Sequence, residues 1–188
     1  MQKAFAVLSA LALAILVSGC GGPPPLAKPN EIAALAQEIK HLAPDVDPAE
    51  ADRAAQIAFT HAFRLSREYQ ITDPPLIHNT KVNAGLRPRG LCWHWAEDME
   101  TRLAQENFQT LALHRAIANS ENPMRIEHST AIISAQGQGM YDGIVLDPWR
   151  KGGRLTWVAT RADKDYKWLP RKQVLIKKQL RKERRQRN

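Results

Sequence analysis

Cysteine is nearly absent from the chain, with only Cys20 and Cys92 in 188 residues. That excludes a disulfide-stapled scaffold, which needs several pairs. No stretch has the form of a glycine-rich phosphate-binding loop, and no segment repeats. Nor is there an apolar run of the roughly 20 residues that a comfortable membrane span requires.

The longest apolar run, Ala4 to Val17, follows Lys3 and leads through small residues to Cys20, the layout of a secretory signal. Val17-Ser18-Gly19-Cys20 resembles the lipobox of bacterial lipoproteins, in which the cysteine is acylated and becomes the new N-terminus. The resemblance implies a signal peptide over 1–19 and a membrane anchor through lipid on Cys20. With Cys20 committed to lipid, one cysteine is available and the histidines are scattered without a short paired spacing, so the ligand set of a zinc site is missing and no metal or other cofactor is expected. In a Gram-negative host, Gly21 in place of Asp resembles the pattern of delivery to the outer membrane. The Pro-rich segment 20–30 cannot hold a helix and reads as a tether. The remainder has the size of one domain, over 31–170.

A net positive charge is missing from the domain body. Residues 171–188 hold nine Lys/Arg and one Asp/Glu; with Lys3 set aside, the other 17 cations face 18 acids. The basic tail, with Lys177, Lys178, Arg181, Lys182, Arg184, Arg185 and Arg187, has two readings. It is either a solvated, partly disordered end or a contact for anionic lipid or a cell-wall polymer. No nucleic-acid partner is expected for an exported chain.

Hydrophobic spacing predicts two amphipathic helices first. One runs from Glu31 to Leu42 behind an Asn30 cap, and one from Asp47-Pro48 to about Tyr69. Asp73-Pro74-Pro75, Gly85 and Pro88 mark Thr72 to Arg89 as a loop. A third helix runs from Leu91 to about Asn107, with Cys92, Trp95, Ala96, Met99 and Leu103 on one face. The period then changes to two. Leu111 to Ile117, Ser129 to Gln136 and Ile144 to Leu146 read as strands, and Val158 begins a fourth. The order predicts an α+β fold, with a cysteine-bearing helix packed on an antiparallel sheet.

Gly90-Leu91-Cys92 places a thiol in the first turn of its helix, where the helix dipole favours the thiolate. A thiol nucleophile also needs an imidazole and a group to orient it. His128, opening one strand, and Asp147, closing the next, are the candidates. If the chain reverses at Gly137-Gln138, His128 faces Asp147; if at Asp142-Gly143, the pair is lost. The chemistry predicts the first register.

Gly-x-Cys-x-x-x-Ala at a helix start, a downstream His opening a strand, and Leu-Asp-Pro closing the next resemble the core of the transglutaminase-like superfamily, whose architecture is related to papain-like cysteine proteases. The resemblance covers about Gly90 to Trp149. It implies Cys92 as nucleophile, His128 as general base and acid, and Asp147 as orienter. The substrate would be a peptide or protein in the envelope, hydrolysed at an amide or passed to an amine. Ser129-Thr130-Ala131 stands where many members carry an aromatic two residues after the His. An oxyanion donor is expected from the Cys92 backbone and from Asn79, ahead of His78.

Other readings stand beside these. Cys92 has a second, lesser reading as a small core hydrophobe, and the whole domain a rival one as a silent fold that binds or scaffolds envelope components. His94 points off the Cys92 face and reads as a surface or cleft residue. His114 reads as structural, and His41 and His61 need no role. Trp93, Trp95 and Trp149 read either as cleft walls or as core.

Overall fold

The computed structural model describes residues 24–187; the expected signal peptide over 1–19, Cys20 and the first residues of the expected tether lie outside the described residues. Helix α1 spans Pro29–Lys40, starting one residue ahead of the expected Asn30 cap. Pro29 needs no N–H donor there, and the Glu31 carboxylate accepts the Lys28 N–H at 2.9 Å. Helix α2 spans Pro48–Glu68 behind Asp47, whose side chain accepts the Ala49 N–H at 2.7 Å. Ala51, Ala54, Ala55, Ala58 and Ala62 form its buried stripe, and their small side chains let Leu35 and Ile39 of α1 pack close.

The segment expected to be a loop contains a helix, α3, over Pro75–Asn83. Pro74 and Pro75 were read as breakers, but a proline in the first turn initiates a helix, since its missing N–H would be unsatisfied anyway. Helix α4 spans Cys92–Ala104. The sheet follows, with β1 at Leu111–Ala118, β2 at His128–Ala135, β3 at Ile144–Asp147, β4 at Thr156–Ala159 and β5 at Leu169–Pro170. All pairings are antiparallel, in the order β4-β3-β2-β1-β5. The two-residue strand β5 left no period-two signal in the sequence. The described residues thus form an α+β fold of five helices and one five-stranded antiparallel sheet.

Both sheet faces are covered. Ala131, Ile133, Ala135, Ile144 and Leu146 meet Met99 and Leu103 of α4 and the α2 alanines. Ala116, Ala118, Ile132 and Val145 meet Met140 and Trp168 on the opposite side. Each fully buried isoleucine contributes about 1.5–3 kcal/mol.

The β2–β3 register departs from the expected hairpin. Ala131 pairs with Leu146, Ile132 with Val145 and Ile133 with Ile144. The connection is longer than a two-residue turn: Gln138 N–H returns to the Ala135 carbonyl, and a single 3-10 turn, Met140–Asp142, follows. Gly143 fixes this path, because a Cβ there would stand 2.4 Å from the Ile133 carbonyl oxygen. Continuing the register sets Asp147 level with Thr130, two residues from His128. An even slip keeps every side chain on its face, so the pair still meets diagonally, a separation that long side chains reach across.

The basic tail is helix α5, Arg171–Arg187, seated by Val174. No described helix is long and apolar enough to cross a membrane.

Candidate active site

Gly90 sets the start of α4. Its φ is +124°, and a Cβ there would lie 2.3 Å from His78 Nε2. Its carbonyl accepts the Trp95 indole N–H at 3.0 Å, and its N–H donates to His94 Nδ1 at 3.2 Å, as does that of Leu91. His94 is therefore a buried helix cap rather than the surface or cleft residue expected. It satisfies donors just ahead of the first turn, while burial and nearby Arg89 hold its pKa below the usual histidine value.

Cys92, at the first position of α4, is 8% exposed, amid Leu65, Tyr69, Ile71, Trp95 and Trp149. Its thiol donates to the Glu127 carbonyl at 3.6 Å, just ahead of β2. His128 and Asp147 are each 1% exposed, and His128 Nε2 donates to Asp147 Oδ2 at 2.5 Å. His128 Nδ1 has no hydrogen-bond partner among the described residues. Burial opposes charge on the imidazole, but the Asp147 carboxylate, by charge and hydrogen bond, and adjacent Cys92 outweigh it and raise the His128 pKa to about 9. Burial likewise opposes charge on Asp147, yet His128 and Arg150 hold its carboxyl below the usual range. Sequence reasoning named all three residues, and the fold brings them together.

Arg150, Tyr166 and Trp168 were not foreseen around His128, whereas Trp149 was read as a cleft wall or core. Arg150 sits in the 3-10 turn Trp149–Lys151 and donates through Nε to Asp147 Oδ2 at 2.7 Å. Its other end pairs with Asp163, which also accepts the Trp168 indole N–H at 2.8 Å. Trp149 and Tyr166 each lie 4.6 Å from the His128 ring, and Trp168 lies 5.4 Å from it. A sequence signal did exist: Arg150 follows Asp147 by three residues across Pro148, a spacing that one tight turn closes. Asp163, Tyr166 and Trp168 lie in an irregular segment with no periodicity to read.

A cleft of about 420 Å³ opens onto His128, Trp149, Arg150 and Tyr166. Leu76 at the start of α3 and the exposed Met124 and Ile126 of the β1–β2 loop line its mouth. Asn79 lies on α3 beside this site, its Oδ1 accepting the Trp149 indole N–H at 3.1 Å. That contact leaves the amide nitrogen as its donor end. His78 is committed elsewhere, donating from Nε2 to the Arg89 carbonyl at 2.9 Å.

His114 hydrogen-bonds with Ser134 Oγ at 2.8 Å, and His61 donates to the Asp98 carbonyl at 3.0 Å. Trp95 and Trp149 are buried around Cys92, whereas Trp93 is exposed. No cluster of three potential metal ligands occurs among the described residues. No protein-family model matches the chain, and neither a curated protein nor a solved structure is similar to it.

Proposed function

We propose that the chain is a lipid-anchored envelope protein whose transglutaminase-like domain carries a thiol site for amide hydrolysis or acyl transfer on peptides or proteins. The observation that carries this reading is His128. It is buried beside Cys92, held by Asp147 through Nε2, and has Nδ1 left without a hydrogen-bond partner among the described residues. His78, equally buried, also leaves Nδ1 without a partner, so what sets His128 apart is the Cys92 thiol beside its ring and the Asp147 carboxylate on Nε2.

The chemistry follows from that arrangement. Protonated His128 stabilises the Cys92 thiolate as an ion pair. The sulfur attacks an amide carbonyl, and N–H groups at the α4 N-terminus, with Asn79 Nδ2, stabilise the oxyanion. His128 then gives its proton to the departing amine as the C–N bond breaks, leaving a thioester on Cys92. Water or a second amine loses a proton to His128 and attacks the thioester, which releases the thiolate. Asp147 keeps the ring oriented and its positive charge compensated. The apolar cleft mouth favours substrates with bulky apolar groups beside the reacting amide.

The cleft also weighs against a silent scaffold, which has no need of an open path to a buried imidazole. The test is mass spectrometry of the protein treated with reactive peptidyl esters. An acyl adduct on Cys92, absent in Cys92→Ser and slowed at least about 100-fold in His128→Ala, is the expected result. No adduct, together with iodoacetamide alkylation of Cys92 indifferent to His128→Ala, would sink the thiol mechanism.

A further inference from the structure

The described residues that line the cleft include cations but no acid. Two of those cations are compensated from behind: His128 and Arg150 share Asp147, and Arg150 also pairs with Asp163. Arg125, on the β1–β2 loop, makes no ion pair among the described residues. Asp165, whose backbone it contacts, turns its carboxylate to Arg150 at 3.5 Å instead.

Arg125 is nonetheless held in place. It donates to the Asp165 carbonyl at 2.9 Å, and its guanidinium carbon lies 5.3 Å from the Tyr166 ring centroid. The loop behind it is tied down. Asn119 donates to the Ile126 carbonyl at 3.1 Å, the Arg125 N–H returns to the Asn122 carbonyl at 3.3 Å, and Asn122 Oδ1 accepts the Met124 N–H at 2.9 Å. Lys177 and Arg181 of α5 pair with Glu121, and Lys178 with Glu127, so the basic helix straps both ends of the loop. The bond to Asp165 uses one guanidinium nitrogen and leaves the other N–H donors for the cleft. A cation fixed beforehand loses less rotamer freedom when a partner arrives. Stitching the loop to the segment around Asp165 accounts for the backbone bond, but not for an uncompensated charge at the cleft.

We propose that Arg125 selects peptides that carry a carboxylate close to the reacting amide. Tyr166 lies 4.6 Å from the His128 ring and 5.3 Å from the Arg125 guanidinium carbon, so the cation stands within about 10 Å of the imidazole. An extended chain advances about 3.3–3.6 Å per residue, which sets the carboxylate within about three residues of the amide. Peptides offer such a group on a Glu or Asp side chain and at the chain end, and either accepts charge-assisted hydrogen bonds from a guanidinium. Leu76, Met124 and Ile126 share the cleft with Arg125, so the favoured sequence sets the acid among apolar residues. The place of the amide rests on the proposed thiol reaction, whereas recognition by Arg125 needs no sulfur.

Isothermal titration of the Cys92→Ser protein tests recognition apart from catalysis. The probes are acetyl-Leu-Ala-Glu-Ala-Leu-amide, its Gln and Lys counterparts, and the Gln peptide with a free terminal carboxylate. The Glu peptide should bind about tenfold more tightly than the Gln amide, the low end for a hydrogen bond to a charged group because the site is open to water. That preference should weaken in high salt, vanish in Arg125→Gln and pass to the Lys peptide in Arg125→Glu. A merely structural Arg125 would lower the affinity for every peptide alike. Preference for the free-acid Gln peptide, likewise lost in Arg125→Gln, supports the site with the chain end as the source of the carboxylate. Equal affinity with and without a carboxylate, measurable binding of no peptide, or a preference that survives Arg125→Gln would overturn the proposal. Acyl adducts on Cys92 of the wild-type protein are read separately, so a failed thiol reaction and a failed carboxylate site give different results.

Discussion

Arg150 and His128 donate to the same oxygen of Asp147, Arg150 Nε at 2.7 Å and His128 Nε2 at 2.5 Å. The carboxylate is 1% exposed, so these two cationic groups replace the water it lost. Arg150 is in turn fixed by Asp163 and lies with its guanidinium carbon 4.5 Å from the Tyr166 ring centroid. It is a positioning residue, acting on the imidazole through Asp147.

Replacing Arg150 by Gln takes one cationic partner from Asp147, which keeps His128, and the buried ion-pair partner from Asp163, which keeps only the Trp168 and Asp165 N–H donors; both carboxylates are almost without solvent. Breaking a buried pair typically costs about 3–5 kcal/mol. The expected outcome is a loss of this order in urea unfolding, with slower alkylation of Cys92. Arg150→Lys keeps the charge but cannot span both acids, since an ammonium lacks the planar fork, so it restores only part of either loss. Wild-type stability in Arg150→Gln would show that the network contributes nothing.

The pH dependence follows from the two partners. The His128 pKa rises in the fold from the ordinary 6.5 to about 9, so its contribution is fully present below 6.5 and is lost as pH climbs through about 9. Asp147 is held below its ordinary 3.8, so its contribution is present above that value and is lost on acidification. Between pH 4 and 6.5 both are intact, as these same values require. Urea midpoints should fall from pH 6 to 10, and His128→Ala should flatten that limb. Acylation of Cys92 should also decline above pH 9, where His128 loses the proton that the leaving group needs. An unchanged alkaline limb in His128→Ala would detach the effect from this histidine.

What the sequence revealed and what it hid have separate physical causes. Cys92, His128 and Asp147 were legible because each ends or begins a regular element, where a change of hydrophobic period marks the position. The register was not, because only two-residue turns at Gly137-Gln138 or Asp142-Gly143 were weighed, while the connection is longer and its constraint came from Gly143 lying against the Ile133 carbonyl. The pair survived that error only because the slip was even. Helix α3 was hidden by prolines that serve as initiators. The ion pairs from α5 to Glu121 and Glu127 span more than fifty residues and leave no local trace.

Asn79 separates two roles that one residue can hold. Its Oδ1 anchors Trp149, and its amide nitrogen is the proposed oxyanion donor. Asn79→Asp keeps the acceptor and loses the donor at almost equal volume. The expected result is unchanged urea stability, unchanged KM and a fall of about 10²–10³ in kcat for acyl transfer. A fall in stability with kcat preserved would assign Asn79 to anchoring Trp149 alone.

Gly90 makes the last prediction separable into parts. Alanine there meets two obstacles: a φ of +124°, which L side chains rarely adopt, and a Cβ 2.3 Å from His78 Nε2. Strained backbone of this kind costs about 1–3 kcal/mol, and overpacking a filled site about as much again. Gly90→Ala should therefore lower stability by several kcal/mol and slow Cys92 alkylation, because the residue hydrogen-bonded to both His94 and Trp95 shifts the first turn of α4. His78→Ala alone removes the bond to the Arg89 carbonyl and leaves a cavity. Combining the two removes the clash and leaves the φ strain, so the double variant should be more stable than the sum of the single losses allows. Strict additivity in that double-mutant cycle would mean that His78 does not oppose a side chain at residue 90.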